Sequence, residues 1–170
     1  MISSNVRILQ VNLNRNQPAT ESALQVAIEL KVDLVLVQEP WVLSDTQDYA
    51  GARSTLHSSF VQILPRHKTL RPRTLVYVSK SFRPLVSLAA SSPEDPDLLV
   101  LDIVEGKSKI QLYNIYNEAD QAELGPWTLA RCLYSQTLHS SSIVLGDFNT
   151  HHPWWDPLAR KSANAQELVD

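Results

Sequence analysis

The sequence predicts one α/β domain, built on β-sheets with covering helices, and two patterns carry this prediction. Residues 6–11 alternate apolar and polar side chains, a helical pattern follows, and residues 33–40 then enclose a continuous apolar run. The middle of the chain holds five short apolar or β-branched segments separated by Pro, Gly, Ser or charged residues. These predicted strands are residues 60–64, 74–79, 85–90, 98–104 and 110–116.

Helices and a further strand complete the predicted domain. The first helix begins near Pro18, and a second follows Pro126, because proline fits the first turn of a helix. Residues 142–145 form another buried strand, and a last helix begins near Ser162. With no linker or repeat in between, residues 1–170 are expected to form a single domain.

Composition places the chain among globular proteins and argues against a membrane protein. Its 170 residues are 44% hydrophobic and 19% charged, which suits one domain with its own core. No stretch approaches the roughly 20 apolar residues that span a bilayer, and the amino terminus lacks the pattern of a secretory signal. Cys132 is the single cysteine, so an internal disulfide is excluded and a reducing, intracellular location is expected.

Charge is distributed unevenly along the chain. The formal net charge of -3 is not that of a strongly basic nucleic-acid binder. A basic segment could nevertheless guide a polyanion, although such a run is more often only a solvated loop. Its cations are Arg66, Lys68, Arg71 and Arg73, and an acidic stretch follows with Glu94, Asp95, Asp97, Asp102 and Glu105.

Polar side chains occur where several predicted strands end. They are Asn12 and Asn14, Glu39, Tyr116 with Asn117, and Asp147 with Asn149. Side chains at strand ends can converge on one mouth of a sheet. Oxygen ligands without paired Cys or His favour a hard ion such as Mg²⁺ or Mn²⁺ over zinc. Each residue alone is weak evidence, because a polar strand end is usually structural.

Four motifs together are more specific: VNLN at 11–14, VQEP at 37–40, YNIYN at 113–117 and LGDFNTHHPWW at 145–155. In order and spacing the chain resembles the exonuclease–endonuclease–phosphatase superfamily. Within it, the chain resembles the apurinic-type endonuclease domain of non-LTR retrotransposons, mainly through GDFN followed by HHPWW. The resemblance implies a DNase I-like two-sheet β-sandwich flanked by helices.

The resemblance also implies roles for residues in this chain. Glu39 matches the principal metal-binding glutamate, and Asn14 falls where many relatives carry an acidic residue on the metal side. Asp147 matches the aspartate that positions or deprotonates the attacking water, and Asn149 matches the asparagine that orients it. The phosphate-binding positions of the family correspond to Asn12 and Tyr116.

Other residues near the motifs have open interpretations. His152 is expected to support the site indirectly or to pack, rather than to act as a base. Trp154 and Trp155 could stack on or wedge into DNA, or they could anchor the loop. Arg71 and Arg73 could contact backbone phosphates, which adds affinity without sequence information.

One departure from the family pattern affects the expected activity. The family continues with a Ser-x-Ile-Asp-type strand and a Ser-Asp-His motif, and this sequence contains no Asp-His pair. We therefore expect the domain to be incomplete at its carboxyl terminus, with the terminal strands of the sandwich missing and little nuclease activity.

The resemblance predicts a divalent-metal-dependent DNA endonuclease that nicks target sites for retrotransposition. A reverse transcriptase domain in the same chain and a nuclear site of action would accompany that function. Two alternatives remain open. The chain could be another phosphodiesterase or phosphatase of the superfamily, or it could be a non-catalytic remnant that binds nucleic acid or a partner, or has no activity.

Overall fold

The computed structural model describes residues 5–44, 49, 51–67, 69–117, 127–135, 138–158, 160 and 165. Within these ranges, eight strands and two helices follow one another along the chain. They are β1 (Ile8–Asn12), α1 (Gln17–Glu29), β2 (Leu34–Gln38), β3 (Phe60–Ile63), β4 (Thr74–Ser79), β5 (Leu85–Leu88), β6 (Leu98–Glu105), β7 (Ser108–Tyr116), α2 (Thr128–Ser135) and β8 (Ser142–Asp147). The strands form two four-stranded sheets, in the orders β1-β2-β4-β3 and β5-β6-β7-β8. The predicted α/β fold class with two sheets is confirmed.

The first sheet is built from the predicted strand–helix–strand unit. Strands β1 and β2 run parallel, with Asn12 opposite Gln38, and β4 pairs antiparallel with β2. Helix α1 connects β1 to β2 and begins where the Asn16 side chain accepts a hydrogen bond from the amide of Ala19 at 2.8 Å. Because β1 and β2 are parallel, their carboxyl ends lie at the same edge of the sheet.

The second sheet ends in another parallel pair. Strands β6 and β7 form an antiparallel hairpin whose turn includes Gly106, with a φ of 60° that glycine adopts readily. Strand β8 then pairs in parallel with β7, which places Tyr116 directly opposite Asp147. Both residues are the last of their strands, so the two side-chain positions share one edge of the sheet.

Three apolar clusters define the layers of the domain. Helix α1 packs through Leu24 and Ala27 on the outer face of the first sheet. The two sheets pack on each other through a buried cluster, and α2 covers the second sheet through Leu129 and Cys132. The cluster between the sheets contains Leu34, Leu36, Val76, Leu99, Leu101, Ile103 and Leu112. Each such buried side chain stabilises the fold by about 1.5–3 kcal/mol, so the sandwich interior holds the sheets together.

A buried polar bridge crosses the apolar interior close to the strand ends. Gln38 donates from Nε2 to Oδ1 of Asn114, and both side chains are fully buried. Asn114 in turn donates from Nδ2 to the carbonyls of Val37 at 3.2 Å and Leu75 at 3.1 Å. Burial of a polar group costs free energy unless the group is hydrogen-bonded. This bridge therefore favours the one relative position of the two sheets in which Gln38 and Asn114 meet.

Some of the features predicted from the sequence concern residues that the structure does not describe. The last helix predicted near Ser162, the proline start of α2 at Pro126 and the cation Lys68 lie outside the described residues.

Cys132 is buried, and burial raises the pKa of its thiol to about 11, which keeps it protonated. Within the described ranges, neither helix has the length and apolar character needed to cross a membrane.

Candidate active site

The polar ends of β1, β2 and β8 meet at one mouth of the sandwich. Asn12, the last residue of β1, donates from Nδ2 to Oε2 of Glu39 at 3.2 Å and to Oδ2 of Asp147 at 2.8 Å. Glu39 directly follows β2 and belongs to the first sheet, whereas Asp147 ends β8 in the second. One amide group therefore joins the two carboxylates across the boundary between the sheets.

The loop after β1 fixes the orientation of the Asn12 amide. The backbone amide of Asn14 donates to Oδ1 of Asn12 at 2.8 Å. With its oxygen accepting this bond, Asn12 turns its NH₂ group toward the two carboxylates. Asn14 adopts a φ of 46° and is exposed, so the backbone of Asn14 contributes to the site through Asn12.

Glu39 is held by contacts to its backbone and its carboxylate. Its amide donates to the carbonyl of Arg73 at 2.9 Å, and its φ of 48° lies in the left-handed region. Arg15 Nη2 lies 3.4 Å from Oε1 of Glu39, and the Glu39 side chain is only 16% exposed. The sequence prediction gave Arg15 no role, although a cation three residues after Asn12, in the same loop, was available as a signal.

Asn149 is positioned by Asp147 and by a residue that the sequence prediction left without a role. Its amide donates to Oδ1 of Asp147 at 3.2 Å, and its Nδ2 donates to the carbonyl of Asn117 at 2.7 Å. Asn117 is fully buried and bonds the carbonyl of Phe148 at 2.8 Å and the amide of Leu129 at 3.0 Å. Asn117 therefore connects the GDFN segment to the start of α2.

Tyr116 lies beside Asp147 and is surrounded by charged groups. Burial raises the pKa of its phenol, and the carboxylates of Glu39 and Asp147 raise this pKa further. The guanidinium groups of Arg73 and Arg15 act in the opposite direction on the same pKa. The phenol therefore remains protonated at neutral pH and can donate a hydrogen bond to an anionic oxygen.

The two arginines predicted as DNA contacts have different surroundings. Arg73 donates to both carboxylate oxygens of the buried Asp97 through Nε and Nη2, and its Cζ lies 5.4 Å from the centroid of the Tyr116 ring. Arg71 is partly buried, and its Nε has no hydrogen-bond partner among the described residues. The structure thus brings Arg73 into contact with Tyr116, a predicted site residue.

The segment after Asn149 forms one wall of an open cavity of about 490 Å³ beside Asp147. His152 is buried and accepts bonds at its carbonyl from the amides of Trp155 and Asp156, so it anchors the turn. Its ring contacts the indoles of Trp154 and Trp155 at centroid distances of 5.4 and 5.1 Å. The outer surfaces of the indoles are open, with Trp154 76% and Trp155 46% exposed.

The donor set at this mouth fits a hard divalent cation. The described part of the chain has no group of three His, Cys, Asp or Glu side chains that could hold a metal ion. It does have two carboxylates, Glu39 and Asp147, that share one amide donor. Mg²⁺ typically keeps several waters and binds through one or two carboxylates together with substrate phosphate, so a pair suffices.

Comparison with solved structures identifies the fold. The endonuclease domain of TRAS1, a telomere-specific non-LTR retrotransposon, superposes with a TM-score of 0.69 and 20% sequence identity, over 97% of this chain and 68% of that chain. The chain has the DNase I-like fold. TDP2 from Caenorhabditis elegans matches with a TM-score of 0.49 and 18% identity, over 94% of this chain and 51% of that chain. A D. rerio TDP2 humanized by 14 mutations matches with a TM-score of 0.47 and 13% identity, over 94% of this chain and 68% of that chain.

Sequence comparison adds a second finding to this DNase I-like domain. Residues 110–170 match the family model described as endonuclease-reverse transcriptase, a range that includes most of β7 and all of α2 and β8. No curated protein matches the chain. The family match and the fold support the exonuclease–endonuclease–phosphatase superfamily that the motifs indicate.

Proposed function

We propose that this domain cleaves DNA phosphodiester bonds by divalent-metal-assisted hydrolysis. The observation that carries the proposal is the contact of Asn12 with both Glu39 and Asp147 at the joint mouth of the two sheets. This contact gathers two anions and several hydrogen-bonding groups on one open surface, which is the chemistry needed to hold a metal ion and a phosphate.

Glu39 is the proposed principal metal ligand, with Asn14 as a neutral neighbour on the metal side. A bound Mg²⁺ or Mn²⁺ would supply a positive charge to neutralise the phosphoryl oxygens and the leaving oxygen. Arg15 lies 3.4 Å from Glu39 and is half exposed, so it can move away when a cation takes its place.

The remaining polar residues act on the water and the phosphate in the proposed reaction. Asp147 accepts a proton from the attacking water or orients it, and Asn149 holds that water through its amide. Asn12 and the protonated Tyr116 donate hydrogen bonds to the phosphate oxygens, where negative charge develops in the transition state. The products would carry a 3′-hydroxyl and a 5′-phosphate.

DNA would lie across the mouth and against the loop that follows Asn149. The exposed indoles of Trp154 and Trp155 offer apolar surfaces for stacking on bases or wedging between them. Arg71 is proposed to add a phosphate contact. The segment carrying these indoles begins next to Asp147 and Asn149, so stacking there would act close to the cleaved bond.

The biological setting that we propose is target-site nicking for retrotransposition. The nick would supply the primer for a reverse transcriptase domain in the same protein, a link suggested by the name of the family model that matches residues 110–170. Such a reaction would take place on chromosomal DNA in the nucleus.

We further propose that residues 1–170 alone cut DNA slowly. The resemblance implies a catalytic aspartate and histidine from a Ser-Asp-His motif, which this sequence lacks. Positioned proton-transfer groups are each worth about 10²–10⁴-fold in rate. The extended chain, defined as residues 1–170 followed by the terminal strands of a superfamily member that carry this motif, should therefore nick DNA at least 10²-fold faster.

The experiment measures conversion of supercoiled plasmid to open circles with Mg²⁺, with Mn²⁺ and with EDTA. The extended chain should nick only when metal is present, and Asn149→Ala should slow it by about 10²-fold, the typical cost of one transition-state donor. Gln25→Ala, on the exposed face of α1, is the control and should leave the rate unchanged. Nicking that persists in EDTA would refute metal dependence. Hydrolysis of lipid phosphates without nicking of DNA would favour another activity of the superfamily.

A further inference from the structure

A buried ion network lies behind Tyr116. Asp97 is fully buried and accepts hydrogen bonds from Arg73, at 2.6 Å for the Nη2 contact, and from Nη2 of Arg131 at 3.3 Å. Arg131 also binds Asp95, at 2.8 Å from Nε to Oδ2. The two carboxylates and two guanidinium groups balance in charge, so the network can stay desolvated.

This network contacts Tyr116 through both its backbone and its ring. The carbonyl of Asp97 accepts the amide hydrogen of Tyr116 at 2.9 Å, which fixes the end of β7. The guanidinium of Arg73, held in place by the Asp97 carboxylate, covers the ring with its Cζ 5.4 Å from the centroid. A planar cation over an aromatic face attracts it electrostatically and limits ring movement.

Arg73 also contacts the proposed metal ligand. Its carbonyl accepts the amide hydrogen of Glu39 at 2.9 Å. One residue therefore supports the backbone of Glu39 and the ring of Tyr116, on the two sides of the mouth. The Arg73 side chain is only 23% exposed, and its Nε and Nη2 donors are directed inward, to the two carboxylate oxygens of Asp97.

We propose that Arg73, oriented by the buried Asp97 carboxylate, is a positioning residue that holds the Tyr116 hydroxyl at the mouth of the site and does not itself bind DNA phosphate. This inference rests on the proposed function for the role of Tyr116. It reassigns Arg73, which the sequence suggested as a DNA contact. The influence of Arg73 on the phenol pKa agrees with the same geometry, because a nearby cation favours the phenolate.

The first test measures the Tyr116 phenol directly in residues 1–170. Tyrosine is replaced by 3-fluorotyrosine, whose lower pKa allows titration at milder pH, and the fluorine signals are followed by NMR. Tyr116→Phe identifies the Tyr116 signal. Arg73→Gln should raise the Tyr116 pKa, Arg73→Lys should raise it less, and Arg83→Gln, an exposed arginine far from the site, should leave it unchanged. An unchanged Tyr116 pKa in Arg73→Gln would overturn the proposal.

The second test separates positioning from direct DNA binding with a double-mutant cycle. Affinity for a 20-base-pair duplex is measured by fluorescence anisotropy at several salt concentrations, with Ca²⁺ in place of Mg²⁺. Arg73→Gln should weaken binding about tenfold in the wild-type background and have no further effect in Tyr116→Phe. The contrary outcome is that Arg73→Gln weakens DNA binding in the Tyr116→Phe background as well, and that the slope of log affinity against log salt concentration falls by about one. This result would identify Arg73 as a phosphate ligand and refute the proposal.

The two arms also distinguish failure of the inference from failure of the proposed function. If Tyr116→Phe binds DNA like the wild type, the phosphate contact assigned to Tyr116 is wrong. The fluorine titration then still decides whether Arg73 holds the phenol. Asp97→Asn removes the buried negative charge that pairs with Arg73 and Arg131, and this loss can prevent folding. The test therefore uses the Arg73 variants.

Discussion

Asn12 and Asp147 lie 135 positions apart in the sequence, yet Nδ2 of Asn12 is 2.8 Å from Oδ2 of Asp147. The contact joins the last residue of β1 in one sheet to the last residue of β8 in the other. It exists because each residue ends a strand of a parallel pair, and the parallel pairs of the two sheets open toward the same mouth.

The first prediction concerns this contact. Replacing Asn12 with alanine removes the donor shared by Glu39 and Asp147 and the donor proposed for the phosphate. We expect plasmid nicking by the extended chain to fall about 10²-fold, while the melting temperature stays within a few degrees because Asn12 is exposed. Gln25→Ala serves as the control. A variant that nicks at the wild-type rate would remove Asn12 from the mechanism.

The second prediction concerns Gly146, the residue before Asp147. A Cβ at this position would lie 2.0 Å from the carbonyl oxygen of Ile115, its partner on β7, so one strand would have to move. We expect Gly146→Ala to lower the free energy of unfolding by about 1–3 kcal/mol, measured with urea, and to displace Asp147. Gly51→Ala, where a Cβ meets nothing within 4 Å, is the matched control. Equal stability of the two variants would contradict the close packing of β7 and β8.

The third prediction concerns the buried bridge between the sheets. Asn114→Leu leaves Nε2 of Gln38 without its acceptor in an apolar interior, while Oε1 still accepts from Gln10, and the unpaired donor costs about 1–3 kcal/mol of unfolding free energy. The double variant Gln38→Leu with Asn114→Leu should recover part of this loss, because both polar groups are then removed. Urea denaturation of the three proteins tests the prediction. Strictly additive losses would show that the two amides do not interact.

The fourth prediction concerns the exposed indoles. If Trp154 and Trp155 stack on bases, alanine at either position should weaken DNA binding by about 1–3 kcal/mol, measured by fluorescence anisotropy, with little change in melting temperature. Tyr134→Ala, an aromatic residue of α2 that is 80% exposed, should bind as the wild type does. Unchanged affinity with a lowered melting temperature would instead assign the indoles to anchoring the loop on His152.

Local patterns in the sequence were sufficient for most of the elements. Strand β4 has the predicted bounds, because residues 74–79 form a β-branched and apolar run with proline or charged residues on both sides. Strand β1 was predicted at residues 6–11 but is Ile8–Asn12, so Asn12 belongs to the strand. This shift matters because the last position of β1 directs the Asn12 side chain toward Glu39 and Asp147.

The sequence could not predict which strands would pair or which charges would be buried. Asp95 and Asp97 belong to an acidic stretch, a pattern typical of solvated loops, yet both are buried. Their partner Arg131 lies on α2, 34 to 36 residues away, and a pairing over that distance depends on the packing of α2 against the second sheet. The sequence gave no role to Arg15, and it listed Asn117 only as a polar strand end, because the contacts of both residues depend on neighbours brought close by the fold.

Glu39 is the proposed ligand of a divalent metal ion at the mouth where the two sheets meet. Isothermal titration of Mn²⁺ into residues 1–170 tests this assignment most directly, because it does not depend on catalytic activity. Glu39→Gln keeps the shape of the side chain and removes its charge, and Glu29→Gln makes the same change at the far end of α1 from Asn16. We predict at least about tenfold weaker binding in Glu39→Gln, equivalent to about 1.4 kcal/mol, and wild-type binding in Glu29→Gln. Identical isotherms for Glu39→Gln and the wild type would show that Glu39 does not bind the metal ion.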